Sequence, residues 1–444
     1  MLNTINNFFN IKSYLDFGNR MFLLGTFFLP TALPISALFF IISLVISYSN
    51  KNIIKLNEKW NYPLFFSIGI IVFSTINISF INKPIILKDY DNSLIWINLM
   101  NWIPIFFYYW GFQEYLKTYL QRLTFTKFLI SGSIPVILSF ILQKFFNLYG
   151  PFKTFFGLIV WFQKPLTEFS DGVSGLFSNP NYAGAWLALV LPFSIFLISN
   201  SKKSKFSKFV VYFIFICFIY MILMTGSRNA LLAVLISLLF AFRFKKLLNI
   251  IISISTLFIT LNIFEFIFFK GQLFNSIYLK SNAINKILTF DLYSAPRLVI
   301  WKSTFLRILN RPFLGWGPST FSSVHIENNQ SLISPNSVLY AQHSHNIFLE
   351  LAHNFGLPLA IILISTIVLF LINSWSKIFL KNLSSKNIFL SKIWFCSLFI
   401  FFVIHLSDIT FYDGKISLFI CILFAGLRSI SGEIEAEKKI NKLQ

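Results

Sequence analysis

Acidic side chains are scarce: 16 Asp and Glu stand among 444 residues, and charged residues of both signs make up only 12%. So little polar surface cannot cover a soluble globule of this size. With 56% hydrophobic residues and a mean hydropathy of +0.71, the chain belongs in a bilayer. Cysteine is also rare. Cys217, Cys396 and Cys421 lie in separate apolar runs without metal-ligand spacing, which points to packed thiols rather than disulfides or ligands. A Walker motif, a GxSxG elbow, a dinucleotide fingerprint, HExxH and CxxC are all missing. Nucleotide-driven transport, serine hydrolysis and a metal centre therefore lack support, and no cofactor is expected. Repeats, low-complexity blocks and Gly/Ser linkers are missing too, so residues 1–444 read as a single integral membrane domain.

What is abundant is basic and apolar. Lys and Arg number 37, for a net charge of +21. They sit in short connectors between apolar runs rather than on one face, so they read as a topology signal in contact with membrane lipid, and no nucleic-acid partner is expected. The 58 Phe and the Lys excess also fit A+T-rich codon usage.

A spanning helix needs roughly 20 apolar residues. Candidate spans are Phe17 to Pro30, Pro34 to Tyr48, Tyr62 to Ile81, Leu94 to Phe112, Lys127 to Gln143, Ala183 to Ser199, Lys208 to Met224, Asn229 to Phe242, Leu247 to Phe269, Asn346 to Ile372, Leu390 to Leu406 and Ile416 to Ile430. The expected fold is all-α: a polytopic transmembrane bundle of about 12 spans, or about 11 if the first two merge across Pro30 and Pro34. The first span is expected to act as a signal anchor, because Lys12 and Arg20 precede an apolar stretch without a small-residue cleavage site.

Basic connectors then set orientation. Lys51, Lys55 and Lys59, then Lys117, Arg122 and Lys127, then Lys202 to Lys208, Arg243 to Lys246, and Lys377 to Lys392 all fall on one side, expected to be cytoplasmic. The other side, expected to be periplasmic, receives Lys83 to Ser93, Lys144 to Tyr182, Thr225 to Arg228, the large loop 270–345, and Ser407 to Lys415. In the large loop Leu298, Trp301, Phe305, Ile308 and Leu309 recur at helical spacing. Arg297 to Leu309 therefore reads as an amphipathic helix on the membrane surface, ended by Pro312 and Gly315-Trp316-Gly317-Pro318. The tail 432–444 reads as cytoplasmic, solvated helix or disordered.

The residues suited to chemistry gather on the outer side. Arg228 follows the tight turn Thr225-Gly226-Ser227 at the start of a span, where free N–H groups, the helix dipole and a bidentate guanidinium together favour phosphate; a guanidinium snorkelling to the interface is the bland alternative. Arg297 offers a second fork at the same interface. His345-Asn346 also starts a span, and the dipole there disfavours imidazolium, so His345 is expected to be neutral and suited to general-base catalysis. His343 and Asn346 beside it are secondary candidates for substrate contact, although solvation is the simpler reading of His343. His353 reads as a hydrogen-bonded core histidine, while His325 and His405 have no supporting context. Asp408, Asp413 and Lys415 lie at an outer turn, where Asp408 reads first as part of a structural ion pair, with a proton carrier or substrate contact as the alternative. A metal at His343-Ser344-His345 has no supporting ligand set.

His345-Asn346, then nine intervening residues and Gly356, resembles the pattern of the O-antigen ligase and O-antigen polymerase superfamily, with Leu359 departing from its last element. Thr225 to Arg228, Arg297 to Trp301 with Pro312, Gly315 and Gly317, Ser178 to Asn181, and Asp408 to Gly414 are similar to further elements of that family. The resembling region is 150–430. The resemblance implies a metal-independent, inverting glycosyltransferase in the bacterial inner membrane, acting at the periplasmic face. Its donor would be a glycan on undecaprenyl diphosphate, and its acceptor a sugar hydroxyl on lipid A core for a ligase or on a repeat unit for a polymerase. In that reading Arg228 and Arg297 hold the diphosphate and His345 takes the acceptor proton. Inorganic-carbon (bicarbonate) transport, a class also assigned within the same superfamily, is a reading of another kind, but a transporter should place polar groups at the bilayer midplane.

Overall fold

The structure is a computed structural model that describes residues 13–49, 58–166, 171–200, 205–241, 296–327, 341–379 and 385–443. The expected span Leu247 to Phe269, much of the loop 270–345 and several basic connectors lie outside these residues.

The described chain is overwhelmingly helical. In order come α1 (Tyr14–Phe28), α2 (Leu33–Tyr48), α3 (Asn61–Ile76), α4 (Ile103–Phe112), α5 (Tyr119–Gly132) and α6 (Ile134–Phe145). A hairpin β1 (Phe152–Thr154) and β2 (Ile159–Trp161) follows. Then come α7 (Pro180–Asn200), α8 (Lys205–Thr225), α9 (Arg228–Ala241), α10 (Pro296–Asn310), α11 (Phe321–Glu327), α12 (Ile347–Phe355), α13 (Leu357–Phe379), α14 (Ser385–His405) and α15 (Gly414–Leu443). Among the described residues, seven helical stretches are long and apolar enough to cross a membrane. Their outward faces expose large apolar side chains, such as Phe66 and Phe73 on α3 and Leu369 and Ile372 on α13. Such a surface suits hydrocarbon, where helices satisfy their own backbone.

Of the two alternatives for the first two apolar segments, the structure has separate helices, packed on one another because the chain turns at Leu29 to Ala32, where Thr31 N and Ala32 N both bond to Phe28 O. Three details differ from the sequence expectation. The expected span Leu94 to Phe112 is broken into a short helix Asn92–Ile97 and α4 by a tight 3-10 turn over Asn98–Asn101. The all-α reading misses the short antiparallel hairpin, which pairs Phe152 with Trp161 and Thr154 with Ile159. The run Asn346 to Ile372 is not one span. It breaks at Gly356 into α12 and α13.

That break is built from backbone. Trp316 N bonds to His353 O (2.7 Å), Gly317 N to Asn354 O (2.9 Å), and Leu357 N to Pro312 O (2.7 Å), so the loop after α10 is clasped to the end of α12. Gly356 has φ 93, and a Cβ there would stand 2.1 Å from Phe313 O. Gly356→Ala is therefore expected to destabilise by at least about 1 to 3 kcal/mol from the left-handed backbone alone, with the clash added. A lowered unfolding temperature in detergent checks this; an unchanged one contradicts the clasp.

The core sits around α7, which packs against α8, α9 and α14, with Trp186, Phe193, Trp394 and Phe419 interlocked. At one end of the bundle α15 continues as helix beyond Gly432 rather than trailing off. There Glu433 pairs with buried Arg122, Glu435 with Lys377, and Arg428 with Glu58 (2.7 Å). The opposite end holds the turn at Thr31, the hairpin, and the N-termini of α7, α9, α10 and α12.

Candidate functional site

Four chain segments converge at that second end, and Asp408 is where they meet. It follows the last turn of α14, its N–H bonded back to Ile404 O (3.0 Å). Its Oδ1 accepts from Ile409 N (2.9 Å) and lies 3.0 Å from His345 Nδ1. Its Oδ2 accepts from Asn181 Nδ2 (3.0 Å) and pairs with Arg297 Nη2 (3.4 Å). The carboxylate is 5% exposed, whereas His345 and Arg297 are 26% and 35% exposed, so Asp408 is the buried base of the site and the other two face outward. Burial pushes the Asp408 carboxyl up, but the His345 hydrogen bond and the Arg297 guanidinium more than offset it, holding the group below the usual carboxylate range. An ionised carboxylate only accepts, so His345 Nδ1 donates and, in the neutral ring, Nε2 carries the free lone pair.

The loop carrying His345 is locked from below. Asn346 caps α12, its Oδ1 accepting from Leu349 N (3.1 Å) and its Nδ2 donating to Leu406 O (2.9 Å). Its side chain thus has a structural task, fastening the His345 loop to the Asp408 turn. Ser344 N donates to Glu350 Oε2 (2.9 Å), and Glu350 Oε1 accepts from Tyr412 Oη (2.6 Å) and from Asn354 (3.3 Å). Glu350 is fully buried, and burial raises its carboxyl. Between these anchors His345 is held at φ 56, a left-handed backbone that costs a non-glycine residue about 1 to 3 kcal/mol and recurs at functional sites. His343 is not a solvated side chain. Its ring lies 4.3 Å from that of His345, its Nδ1 is buried without a partner among the described residues, and burial first, then His345, push it down to about 4.

Arg228 begins α9, as expected, after Gly226 (φ 66) and Ser227, whose Oγ accepts from Ala230 N at 3.5 Å. This turn lies on the first turns of α7, which present Asn181 to Asp408. A Cβ on Gly184 would stand 2.8 Å from Ser227 Cβ and 3.0 Å from Thr225 Oγ1, so only glycine admits the approach. Arg297 lies at the start of α10, whose inward face buries Ile300, Thr304 and Ile308 and leaves Leu298, Phe305 and Leu309 exposed. The expected apolar stripe therefore divides between two faces: Ile308 turns inward.

Two expectations change here. Asp408 does not belong to a local pair with Lys415. Asp413 Oδ1 instead accepts from Lys415 N (2.9 Å), and Lys415 Nζ donates to Leu176 O (2.9 Å) and sits 4.5 Å over the Phe177 ring. Asn181 and Glu350 were not singled out as functional residues at all. His353 is a core histidine as read, with Nδ1 3.2 Å from Asn354 Oδ1, though its buried Nε2 has no partner among the described residues. No group of three or more His, Cys, Asp or Glu suited to a metal occurs among the described residues.

Residues 213–364 match the O-antigen ligase family model. The matched stretch contains Arg228, Arg297, His343, His345 and Asn346 and ends before Asp408. The chain is also similar to the ComP-specific O-oligosaccharyltransferase of Acinetobacter baylyi (strain ATCC 33305 / BD413 / ADP1), at 31% identity over 173 residues. That alignment covers 37% of this chain and 29% of the relative's length. The resemblance stated from the motifs therefore holds over this segment of a multi-pass helical membrane protein.

Proposed function

We propose that the chain is an O-antigen ligase-like glycosyltransferase that moves a glycan from undecaprenyl diphosphate to a sugar hydroxyl, as on lipid A core, at the periplasmic face of the bacterial inner membrane. The observation that carries this reading is the His345–Asp408–Arg297 cluster at one end of an apolar bundle. A hydroxyl oxygen attacks the anomeric carbon, and the carbon–oxygen bond to the diphosphate breaks. The hydroxyl proton passes to His345 Nε2, and Asp408 stabilises the imidazolium that forms. Arg297 and Arg228 balance the charge on the departing lipid diphosphate. A single displacement inverts the anomeric centre and needs neither metal nor nucleotide.

Two further observations support a lipid-linked donor. An apolar cavity of about 140 Å³ is lined by Trp102, Ile347, Leu351, Phe401, His405 and Phe411 among others. Ile347 and His405 in its wall are two and three residues from His345 and Asp408, so apolar surface stands beside the charged cluster, as a donor with a lipid tail and a diphosphate head requires. The similarity to an O-oligosaccharyltransferase supports transfer of a whole oligosaccharide to a hydroxyl oxygen. A polymerase would use the same donor and arginines with a repeat unit as acceptor. Deletion followed by a lipopolysaccharide gel separates them: uncapped core with accumulated lipid-linked polymer for the ligase, core bearing one repeat for the polymerase. An unchanged ladder contradicts both.

The two arginines predict a graded result. Arg228→Lys keeps charge but loses the fork, so transfer weakens, and Arg228→Ala and Arg297→Ala weaken it further. Both alanine variants retaining full transfer at normal expression would remove the diphosphate assignment. Orientation is tested separately with an impermeant thiol reagent applied from outside: Gln330→Cys is expected to label and Lys203→Cys to stay unlabelled. The reverse pattern would put the site on the wrong side for its donor.

A further inference from the structure

The hairpin between α6 and α7 belongs to none of the chemistry above. α6 carries a stripe of exposed apolar residues at helical spacing, Ile134, Leu138, Leu142 and Phe145, which is a lipid-facing surface. The stripe does not stop where the helix does. It runs on through exposed Phe146 and Leu148 to the hairpin tip, where Phe155 and Leu158 are mostly exposed and Phe156 fully so, and returns at Phe162.

The base of this hairpin is bolted down. Trp161 Nε1 donates to Thr31 O (2.6 Å), Gly150 N to Gln163 O (2.9 Å), and Gln163 Nε2 to Leu148 O (3.0 Å) and Ser139 O (3.3 Å). Gln143 Nε2 donates to Lys164 O (2.8 Å). These bonds tie the hairpin to α6 and to the turn between α1 and α2, so it sits level with the ends of membrane helices. At the tip, Phe155 and Phe156 both have left-handed backbone (φ 49 and 56) although glycine follows at position 157. Two aromatic residues kept in a conformation that suits glycine, with their rings outward, are not explained by packing. Exposed Lys153 and Lys164 flank the apolar tip.

We propose that this hairpin is an interfacial anchor: Phe155, Phe156 and Leu158 enter the acyl region of the leaflet at the site end, with Lys153 and Lys164 against its anionic phosphates. An apolar tip continuous with a lipid-facing helix, rimmed by cations, has the chemistry of a membrane surface rather than of a soluble partner. The same hairpin, through Ile159 and Val160 among others, walls a cleft of about 240 Å³ shared with Thr31, Ser178, Asp413 and Lys415. Asp413 belongs to the Asp408 turn, so the anchor holds that cleft at the level of the headgroups. This inference does not depend on the reaction assigned to the site.

The test places the photo-cross-linking residue p-benzoylphenylalanine at position 156, at Leu158, and at exposed Asp89 as a comparison, in the full chain in isolated native membranes. After illumination, intact-mass analysis of the purified protein should show phospholipid adducts at 156 and 158 at least tenfold above those at 89. Adducts with another polypeptide, or lipid adducts at 156 and 158 no more frequent than at 89, overturn the anchor. The two tip positions keep the test decisive if one variant fails to fold.

Discussion

His345→Ala is expected to lower transfer of a lipid-linked glycan by about 100-fold to 10,000-fold, the usual contribution of a positioned general base, while leaving expression and donor binding nearly intact. The size follows from geometry. Asp408 fixes Nδ1 as the donor (3.0 Å), and the ring is one-quarter exposed, leaving Nε2 to meet an acceptor. His343→Ala should do much less, because its ring packs behind that of His345 and against Tyr412. Initial rates in reconstituted membranes decide this; near-normal turnover by His345→Ala removes the catalytic role.

Asp408→Asn should approach the same loss. The amide keeps the shape but can present its NH₂ to His345, which reverses the tautomer, and the neutral group no longer stabilises imidazolium. In a serine-protease triad the equivalent change costs roughly 10,000-fold. Arg297 would also lose its ion-pair partner. If His345 and Asp408 act as one unit, the double variant His345→Ala/Asp408→Asn should be scarcely worse than His345→Ala alone. Multiplicative losses in that comparison would separate the two residues mechanistically.

The readable and unreadable parts of this site divide by chemistry. Arg228, Arg297 and His345 stood out because charged or titratable groups at the ends of apolar runs have few bland explanations. Asp408 reads as part of an ion pair, but the sequence does not say with which group, since Lys415 is seven residues away in sequence while its actual partners His345 and Arg297 are 63 and 111 away. Distance along a chain says little about who meets at the end of a helical bundle. Asn181 stands in the family-like element Ser178 to Asn181 without a role of its own, and Glu350 looks like part of a span, until their partners, Asp408 and Ser344 N, are placed. Hydropathy gave the helices well but not their breaks. The run through Gly356 is apolar on both sides, and only the backbone clasp with Pro312 to Gly317 reveals a turn. The hairpin 152–161 was invisible for the same reason, because Phe and Ile in short runs suit helix and strand alike.

The most direct test uses the purified protein in liposomes with a defined undecaprenyl-diphosphate glycan and a hydroxyl acceptor, in EDTA, following released lipid diphosphate and glycosylated acceptor together. The two products are expected to appear one for one, and both to be lost in His345→Ala. Folded wild-type protein that releases no lipid diphosphate, or equal release from His345→Ala, would contradict this.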